Sequence, residues 1–239
     1  MNKYRMIMVS LTILIIAALV YWYWFSSPES LPSDEQLIAE MNDFYREANV
    51  KTIQETIMLD DEHAYIPFIS KQNVYGASYW KWERRKWRPI RISTSGDPIV
   101  WKVEPDDPST YHIVWNMNPK QPLSYASFYL TRDRNYHISG EKHRYWPQIQ
   151  LKNDVNIAET SYGSMKLPMA WSSFLTQMKN TVSEPNEFNI FHRMGVQFAW
   201  IPYNEEGDRI FPENINGSTF SNGGMETQFV VLIDESELE

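Results

Sequence analysis

The chain has 239 residues, no cysteine and a formal net charge of −8. The missing cysteines exclude disulfides, thiol chemistry and cysteine-ligated zinc, so the fold must be held together by packing. Beyond Lys3 and Arg5 the net charge is −10. A surface this acidic disfavours nonspecific binding to nucleic acid, and no nucleic-acid partner is expected.

Residues 6–25 form an uncharged run of twenty residues, MIMVSLTILIIAALVYWYWF. At ~1.5 Å per residue, a helix of this length spans about 30 Å, the thickness of a bilayer's hydrocarbon core. Lys3 and Arg5 precede the run, and acidic residues follow it before any basic one. The positive-inside rule therefore predicts a single-pass protein of the cell membrane, with residues 1–5 cytoplasmic and the chain after the anchor extracytoplasmic.

A cleaved signal peptide is the alternative interpretation of this run. The run is longer than the ~7–15 apolar residues typical of a signal peptide, and no small-x-small cleavage site follows it. Instead, Tyr21, Trp22, Tyr23 and Trp24 end the run as an aromatic belt suited to the outer headgroup region. The sequence favours an uncleaved anchor, with the lipid bilayer as partner of residues 6–25.

Three segments follow the anchor. Residues 26–33 (SSPESLPS) read as a short, stiff linker that holds the following domain close to the membrane. Residues 34–233 are predicted to form the extracytoplasmic domain, and residues 234–239 an acidic tail.

Two helices are predicted to flank the strands of this domain. Ser33 is a good N-cap with Gln36 at the capping-box position, and apolar residues recur at helical spacing until about Asn49. Pro168 suits the first position of a second helix, which would reach about Asn180.

Between these helices the apolar period changes to two, which is typical of strands. Connections of a few residues imply antiparallel pairing. The signal weakens after Tyr145, and residues 204–224 resemble a long loop. Residues 229–233 are apolar on both faces, which indicates a central strand. The fold class is α+β and strand-rich, an antiparallel β-meander. The predicted strands are residues 50–58, 64–69, 74–83, 87–93, 99–104, 111–117, 124–130, 196–202 and 229–233.

Several of these strands carry tryptophan on an apolar side. Trp80 shares a side with Trp82, Trp101 lies on the side of Ile99 and Val103, and Trp115 lies on the side of Tyr111, Ile113 and Met117. The alternation predicts one Trp-rich inner layer.

No motif predicts a catalytic residue, a metal site or a cofactor. The Ser-x-x-Lys pattern of serine acyl-enzymes occurs at Ser78/Lys81 and Ser139/Lys142, but that chemistry needs a helix, and Ser78 lies in a strand pattern. Residues 60–63 (DDEH) bunch acids and a histidine in one turn, where adjacent residues rarely converge on one ion.

The sharpest local feature is residues 79–91, YWKWERRKWRPIR. From Lys81 to Arg91 there are six basic residues and one acid. A hairpin turn at residues 84–86 would place Tyr79, Lys81, Trp87 and Arg91 on the outward face. Exposed aromatic rings among cations can stack on a sugar and bind phosphate or carboxylate. The predicted ligand-binding residues are Tyr79, Lys81, Arg84, Arg85, Lys86, Trp87, Arg88 and Arg91.

The expected partner of this surface is an anionic envelope polymer, a lipid headgroup or a membrane protein. The alternative is that the cations pair with neighbouring acids and lie over the Trp rings to cover the sheet.

The run from residue 63 to residue 101, HAYIPFISKQNVYGASYWKWERRKWRPIRISTSGDPIVW, with one anchor upstream, resembles uncharacterised single-pass membrane proteins of Bacillus-type bacteria. The resemblance implies a Gram-positive cell membrane with the domain facing the wall. It brings no activity and no catalytic residue with it.

Two classes of function remain. The first is a membrane-tethered extracytoplasmic binding or assembly domain of the cell envelope, without an evident catalytic site. The alternative is an envelope hydrolase or transferase that uses carboxylates dispersed in sequence. A deep cleft with two facing carboxylates would favour the enzyme, and an open face carrying Trp87 and arginines would favour the binding domain.

Overall fold

The computed structural model describes residues 3–24, 27–139, 142–181, 195–212 and 217–238. These residues form a strand-rich α+β fold with an N-terminal apolar helix and mainly antiparallel sheets, as predicted. The helices are α1 (Lys3–Trp24), α2 (Asp34–Phe44) and α3 (Met169–Thr181). The strands are β1 (Val50–Ile53), β2 (Ile57–Met58), β3 (His63–Ser70), β4 (Tyr75–Glu83), β5 (Lys86–Ser93), β6 (Ile99–Lys102), β7 (Tyr111–Asn116), β8 (Tyr125–Arg132), β9 (Asn135–Ser139), β10 (Lys142–Trp146), β11 (Ile149–Asn156), β12 (Tyr162–Lys166), β13 (Val196–Tyr203), β14 (Thr219–Ser221) and β15 (Glu226–Leu232).

Helix α1 is apolar on all sides. It has 22 residues, an 18-residue window with a mean hydropathy of 2.2, and no buried residue. By length and composition it can cross a membrane, which makes it a candidate anchor.

Helix α2 begins where its capping box predicts. The Ser33 backbone N–H donates to Gln36 Oε1 at 3.3 Å, and Leu37 and Met41 are buried. The helix ends at Phe44 rather than near Asn49. A one-turn 3-10 helix follows, and Asn49 then takes a left-handed conformation (φ 46°) that an α-helix cannot continue.

Six strands form the first sheet, here called sheet I. Its order is β1-β3-β4-β5-β14, with β2 also paired to β3. Strands β3, β4 and β5 follow one another as a meander. The predicted strand of residues 50–58 is divided into β1 and β2, and β14 lies inside the predicted loop of residues 204–224.

Seven strands form the second sheet, sheet II, in the order β11-β8-β13-β15-β6-β7-β12. The β13–β15 pair is parallel and the other pairs are antiparallel. Strand β15 is central, as predicted, because it joins the β11-β8-β13 half to the β6-β7-β12 half. Among the described residues, strands β9 and β10 form a separate two-stranded sheet.

The two sheets pack face to face, and each has a helix on its other face. Consequently apolar residues pack in one layer between the sheets and one under each helix, and a further cluster forms around Ile201, Tyr203 and Ile233. The prediction of one Trp-rich inner layer is wrong. Trp80 packs under α2, Trp101 lies between the sheets with Tyr79, and Trp115 packs under α3 with Trp171. Alternation indicates correctly which residues share a side of a strand, but both sides of these strands are covered.

Asn116 joins the sheets through a polar contact. It is buried at the end of β7, and its Nδ2 donates to the carbonyls of Phe68 at 3.1 Å and Gly76 at 2.7 Å. Its backbone N–H donates to Gly96, where an added Cβ would lie 1.7 Å from the Asn116 carbonyl oxygen. Only glycine allows this close approach.

Replacing Trp101 or Trp115 by alanine should lower the free energy of unfolding by ~3–5 kcal/mol, because each leaves a cavity in a separate packed layer. Chemical denaturation of the full chain in detergent measures this. Phe229→Ala is the matched control, since that ring is 78% exposed, and it should change stability by at most ~0.5 kcal/mol. Equal effects of all three variants would contradict the layer assignment.

His112 is a buried polar residue on β7. Burial and the charge of Lys166 lower its pKa to about 4, and Asp60 opposes the shift. Because the folded chain keeps this imidazole neutral while the unfolded chain protonates it near pH 6.5, stability is lost as pH falls from about 6.5 towards 4.

The expected loss attributable to His112 is about 3 kcal/mol between pH 7 and pH 4, from ~1.4 kcal/mol per pKa unit. Denaturation of wild type and His112→Gln at both pH values should show a shallower pH dependence in the variant. The exposed His143→Gln serves as control. An unchanged slope in His112→Gln would contradict the prediction.

Candidate functional site

The basic segment predicted from the sequence is the β4–β5 hairpin. Its turn consists of Arg84 and Arg85, with Glu83 paired to Lys86 on either side. Both arginines have left-handed φ angles, 52° and 60°. A two-residue turn of this kind strongly prefers Asn-Gly, and each non-glycine residue there costs ~1 kcal/mol or more. Turn geometry therefore does not explain why arginine stands at both positions.

The turn arginines contact the end of α1. The Arg85 guanidinium carbon lies 3.8 Å from the centroid of a Trp22 ring, and that of Arg84 lies 4.9 Å from a Trp24 ring. Each distance is within the ~6 Å range of a cation–π interaction. The tip of the hairpin thus rests on the aromatic end of the apolar helix.

Glu29 ties the segment after α1 to the same hairpin. Its carboxylate accepts a hydrogen bond from Arg85 Nη2 at 3.1 Å, and its backbone carbonyl accepts one from Trp87 Nε1 at 2.8 Å. The carboxylate is largely exposed, so water screens the ion pair. The Trp87 contact is the better shielded of the two.

The prediction that Trp87 points outward is wrong. Its side chain is 5% exposed and packs edge-on against Trp82, with ring centroids 5.8 Å apart. The β4–β5 register shifts between Tyr79 and Trp80, which marks a β-bulge. The extra residue reverses the alternation along β5, so Trp87 and Ile92 contact the same α2-facing layer.

Tyr79 is also buried, against the prediction, because sheet II covers its face of β4. Burial raises its pKa. Arg91 lies opposite Tyr79 on β5 and is half-buried, with an Nε that has no hydrogen-bond partner among the described residues. Neither residue belongs to an open binding surface.

The remaining cations are divided between paired and free groups. Arg84 lies 3.7 Å from Glu83, and Arg85 binds Glu29. Within the described ranges, Lys81, Lys86 and Arg88 have no carboxylate within 4.0 Å. Lys86 and Arg88 are exposed. The alternative, in which the cations pair with neighbouring acids, therefore holds for Arg84 and Arg85 in the turn. It does not hold for Lys86 and Arg88 in β5.

A cleft of about 740 Å³ lies beside this strand. One side is β5 from Lys86 to Pro89, and the other is the exposed side of α2 with Glu40 and Asp43. Glu29 and Arg85 also line the cleft, and Trp82 contributes an aromatic surface. The cleft therefore combines basic, acidic and aromatic groups.

The serine of the Ser78/Lys81 motif is structural here. Ser78 is fully buried in β4, where its hydroxyl donates to the Ile66 carbonyl at 3.1 Å and accepts from Trp80 Nε1 at 2.9 Å. The side chains of Ser139 and Lys142 lie outside the described residues. His63 hydrogen-bonds Asp60 through Nδ1 at 2.9 Å. Within the described parts of the chain, no three His, Asp or Glu residues are grouped to hold a metal ion.

Several residues of this site are not singled out by the sequence. Glu29, Glu40 and Asp43 look like ordinary surface acids, and only the fold places them beside β5. Trp22 and Trp24 do stand out as an aromatic belt, and a short linker implies that the domain is near them. No sequence signal indicates that the β4–β5 hairpin is the element that contacts them.

Comparison of the chain with protein-family models, with curated proteins and with solved structures finds no match.

Replacing Arg84-Arg85 by Asn-Gly should separate turn geometry from contact. Asn-Gly suits the turn, so the free energy of unfolding should stay constant or rise by ~1 kcal/mol despite the lost contacts. Arg84→Ala/Arg85→Ala loses the same contacts without relieving the turn and should be less stable than Asn-Gly. Chemical denaturation compares the two variants. Equal destabilisation by both would show that the contacts dominate.

Proposed function

We propose that the protein is a membrane-tethered extracytoplasmic binding or assembly domain of the cell envelope. Its basic hairpin lies at the outer surface of the cell membrane and binds anionic groups there. The observation that supports this most directly is the stacking of Arg84 and Arg85 on Trp24 and Trp22. It brings the cation-rich part of an acidic chain to the aromatic end of the candidate anchor.

Charge and aromatic placement support the proposed topology. Lys3 and Arg5 precede the apolar run, which favours a cytoplasmic N-terminus. In that orientation Trp22 and Trp24 lie at the outer interface, where Trp rings concentrate at headgroup depth. Arginines stacked on those rings lie among the lipid phosphates.

Free cations beside the turn extend this surface. Lys86 and Arg88 lie next to the stacked pair and lack carboxylate partners among the described residues. Each basic residue near an anionic membrane surface contributes about 1 kcal/mol of attraction. The ligand supported by this arrangement is an anionic group held at the membrane, which includes lipid headgroups and membrane-attached envelope polymers.

The hydrolase or transferase alternative gains no specific support from the cleft. Glu40 and Asp43 lie three residues apart on α2 and so line one side of it. Carboxylates that act on opposite sides of a scissile bond must face each other. Glu29, the other acid of the cleft, is bound to Arg85.

Single-cysteine variants test the proposal, because the natural chain has no cysteine. A label at Lys86→Cys should be strongly quenched by nitroxide attached to lipid headgroups when the full chain is in nanodiscs. A label at the exposed Glu159→Cys is the control and should be quenched weakly. In protoplasts, a membrane-impermeant maleimide should modify both positions.

Protection of both cysteines in intact protoplasts would overturn the topology. Equal headgroup quenching at the two positions would overturn the placement of the hairpin. Salt supplies the test of charge: anionic lipid should increase quenching at position 86, and the increase should fall as the Debye length shortens from ~10 Å at 0.1 M to ~3 Å at 1 M.

A further inference from the structure

Two cations face each other across the β4–β5 hairpin. Lys81 on β4 lies directly opposite Arg88 on β5. Trp82 and Trp87, the next pair towards the turn, belong to the layer under α2, so alternation places Lys81 and Arg88 on the other side of the hairpin. Side chains opposite each other in an antiparallel pair have Cβ atoms ~4.5–5.5 Å apart. The ammonium and the guanidinium can therefore reach one ligand.

No acid of the described chain neutralises this pair. Like charges directly opposite each other destabilise a sheet, yet neither Lys81 nor Arg88 has a carboxylate within 4.0 Å among the described residues. Glu83 shares this side of β4, but its carboxylate lies 3.7 Å from Arg84. Lys86, opposite Glu83, adds a third cation to the same side. The fold thus keeps a repulsive pair that its described contacts do not compensate.

The pair is accessible from the edge of sheet I. Lys81 is half-buried and Arg88 is exposed. Strand β14 pairs with β5 only at residues 91–93, so the part of β5 that carries Arg88 is an edge among the described strands. On the other side of Lys81 lies His63 of β3, which is buried and whose Nδ1 is 2.9 Å from Asp60. A ligand can therefore approach the pair from the side of β5.

We infer that Lys81 and Arg88 bind a phosphomonoester group. The inference rests on the proposed function and names the class of anion that this hairpin takes. A guanidinium binds two phosphate oxygens as a fork, whereas an ammonium binds as a point charge. A phosphomonoester has three terminal oxygens, so Arg88 binds two and Lys81 binds the third. Its charge of about −1.5 to −2 at pH 7 offsets that of the two cations.

A phosphodiester fits the pair less well. It has only two terminal oxygens and one negative charge, so the fork of Arg88 leaves no terminal oxygen for Lys81. The pair should therefore discriminate between the two kinds of phosphate, which a merely basic surface does not do by oxygen count.

Lipid retention by the full chain tests the inference. The protein is incorporated into phosphatidylcholine nanodiscs that contain equal amounts of phosphatidic acid, a phosphomonoester, and phosphatidylglycerol, a phosphodiester. It is then released, and native mass spectrometry identifies the lipid that it keeps. Wild type should retain phosphatidic acid preferentially. Lys81→Gln/Arg88→Gln should reduce that retention about tenfold, the effect of losing roughly one hydrogen bond to a charged group.

Two further variants separate the fork from charge alone. Arg88→Lys keeps the charge and loses the fork, so it should reduce the preference for phosphatidic acid over phosphatidylglycerol. Lys51→Gln/Lys71→Gln removes two exposed cations elsewhere and should retain lipid as wild type does.

Thermal unfolding in lipid-free detergent checks the premise of repulsion. Lys81→Gln/Arg88→Gln should unfold at the same temperature as wild type or at a higher one, because the substitutions remove like charges that face each other. Unfolding at a lower temperature would show that the pair stabilises the fold and would overturn its assignment to a ligand.

A membrane lipid and a soluble molecule can both supply a phosphomonoester. Titration of the full chain in detergent with glycerol 3-phosphate, followed by ³¹P NMR, measures the soluble form, with dimethyl phosphate as the diester control. Displacement of retained phosphatidic acid by equimolar glycerol 3-phosphate would support a soluble phosphomonoester at this site. Persistence of the lipid would support phosphatidic acid. Binding of neither compound would overturn the inference.

The remaining outcomes separate this inference from the proposed function. Equal retention of the two anionic lipids by wild type would overturn the phosphomonoester while leaving an anion-binding hairpin intact. Undiminished retention by Lys81→Gln/Arg88→Gln would overturn the pair as the site. Failure of headgroup quenching at position 86 would instead overturn the proposed function. Binding of glycerol 3-phosphate needs no membrane and would still support the pair in that case.

Discussion

The packing of sheet I against sheet II through Trp101 is the contact on which the rest of the structure depends. The Trp101 ring meets Tyr79 edge-on at 5.3 Å and His63 at 5.7 Å, so residues of β3, β4 and β6 share one layer. With no cysteine in the chain, aromatic burial replaces covalent cross-links, and each such ring removes ~150–250 Å² from water. Because this layer covers one face of the β4–β5 hairpin and α2 covers much of the other, the tip and free edge of the hairpin carry its exposed charges.

Local patterns account for much of the fold. The capping box at Ser33, the Pro168 helix start and the alternating strands up to β8 depend on neighbours in sequence, and they were predictable. Strands β11 and β12 were not predicted, because β11 alternates half-buried residues with Gln, Lys, Asp and Asn, and β12 has only five residues. The parallel pairing of β13 with β15 depends on contacts distant in sequence and leaves no local signal.

The candidate site, like the fold, can be predicted from the sequence only in part. Its high density of basic residues is visible in the sequence, but the half-burial of Arg91 is not. The sequence could not predict which face of the sheet Trp87 occupies. A one-residue bulge in β5 reverses the face of every residue that precedes it in the strand. The cleft was equally hidden, since Glu40 and Asp43 approach β5 only when α2 packs across the sheet.

The charge distribution gives the proposed arrangement its orientation. Beyond Lys3 and Arg5 the chain carries a net charge of −10, and under the proposed topology an anionic membrane repels such a domain overall. The cluster from Arg84 to Arg88 has the opposite sign and lies beside the candidate anchor α1, so attraction would be confined to one end. Under the proposed topology, repulsion of the remaining surface and attraction of the hairpin favour the same pose, with the hairpin tip at the headgroups. The short linker and the two arginine–tryptophan stacks then need only to maintain a pose that electrostatics already favours. Contacts of ~0.5–1 kcal/mol each are strong enough for that.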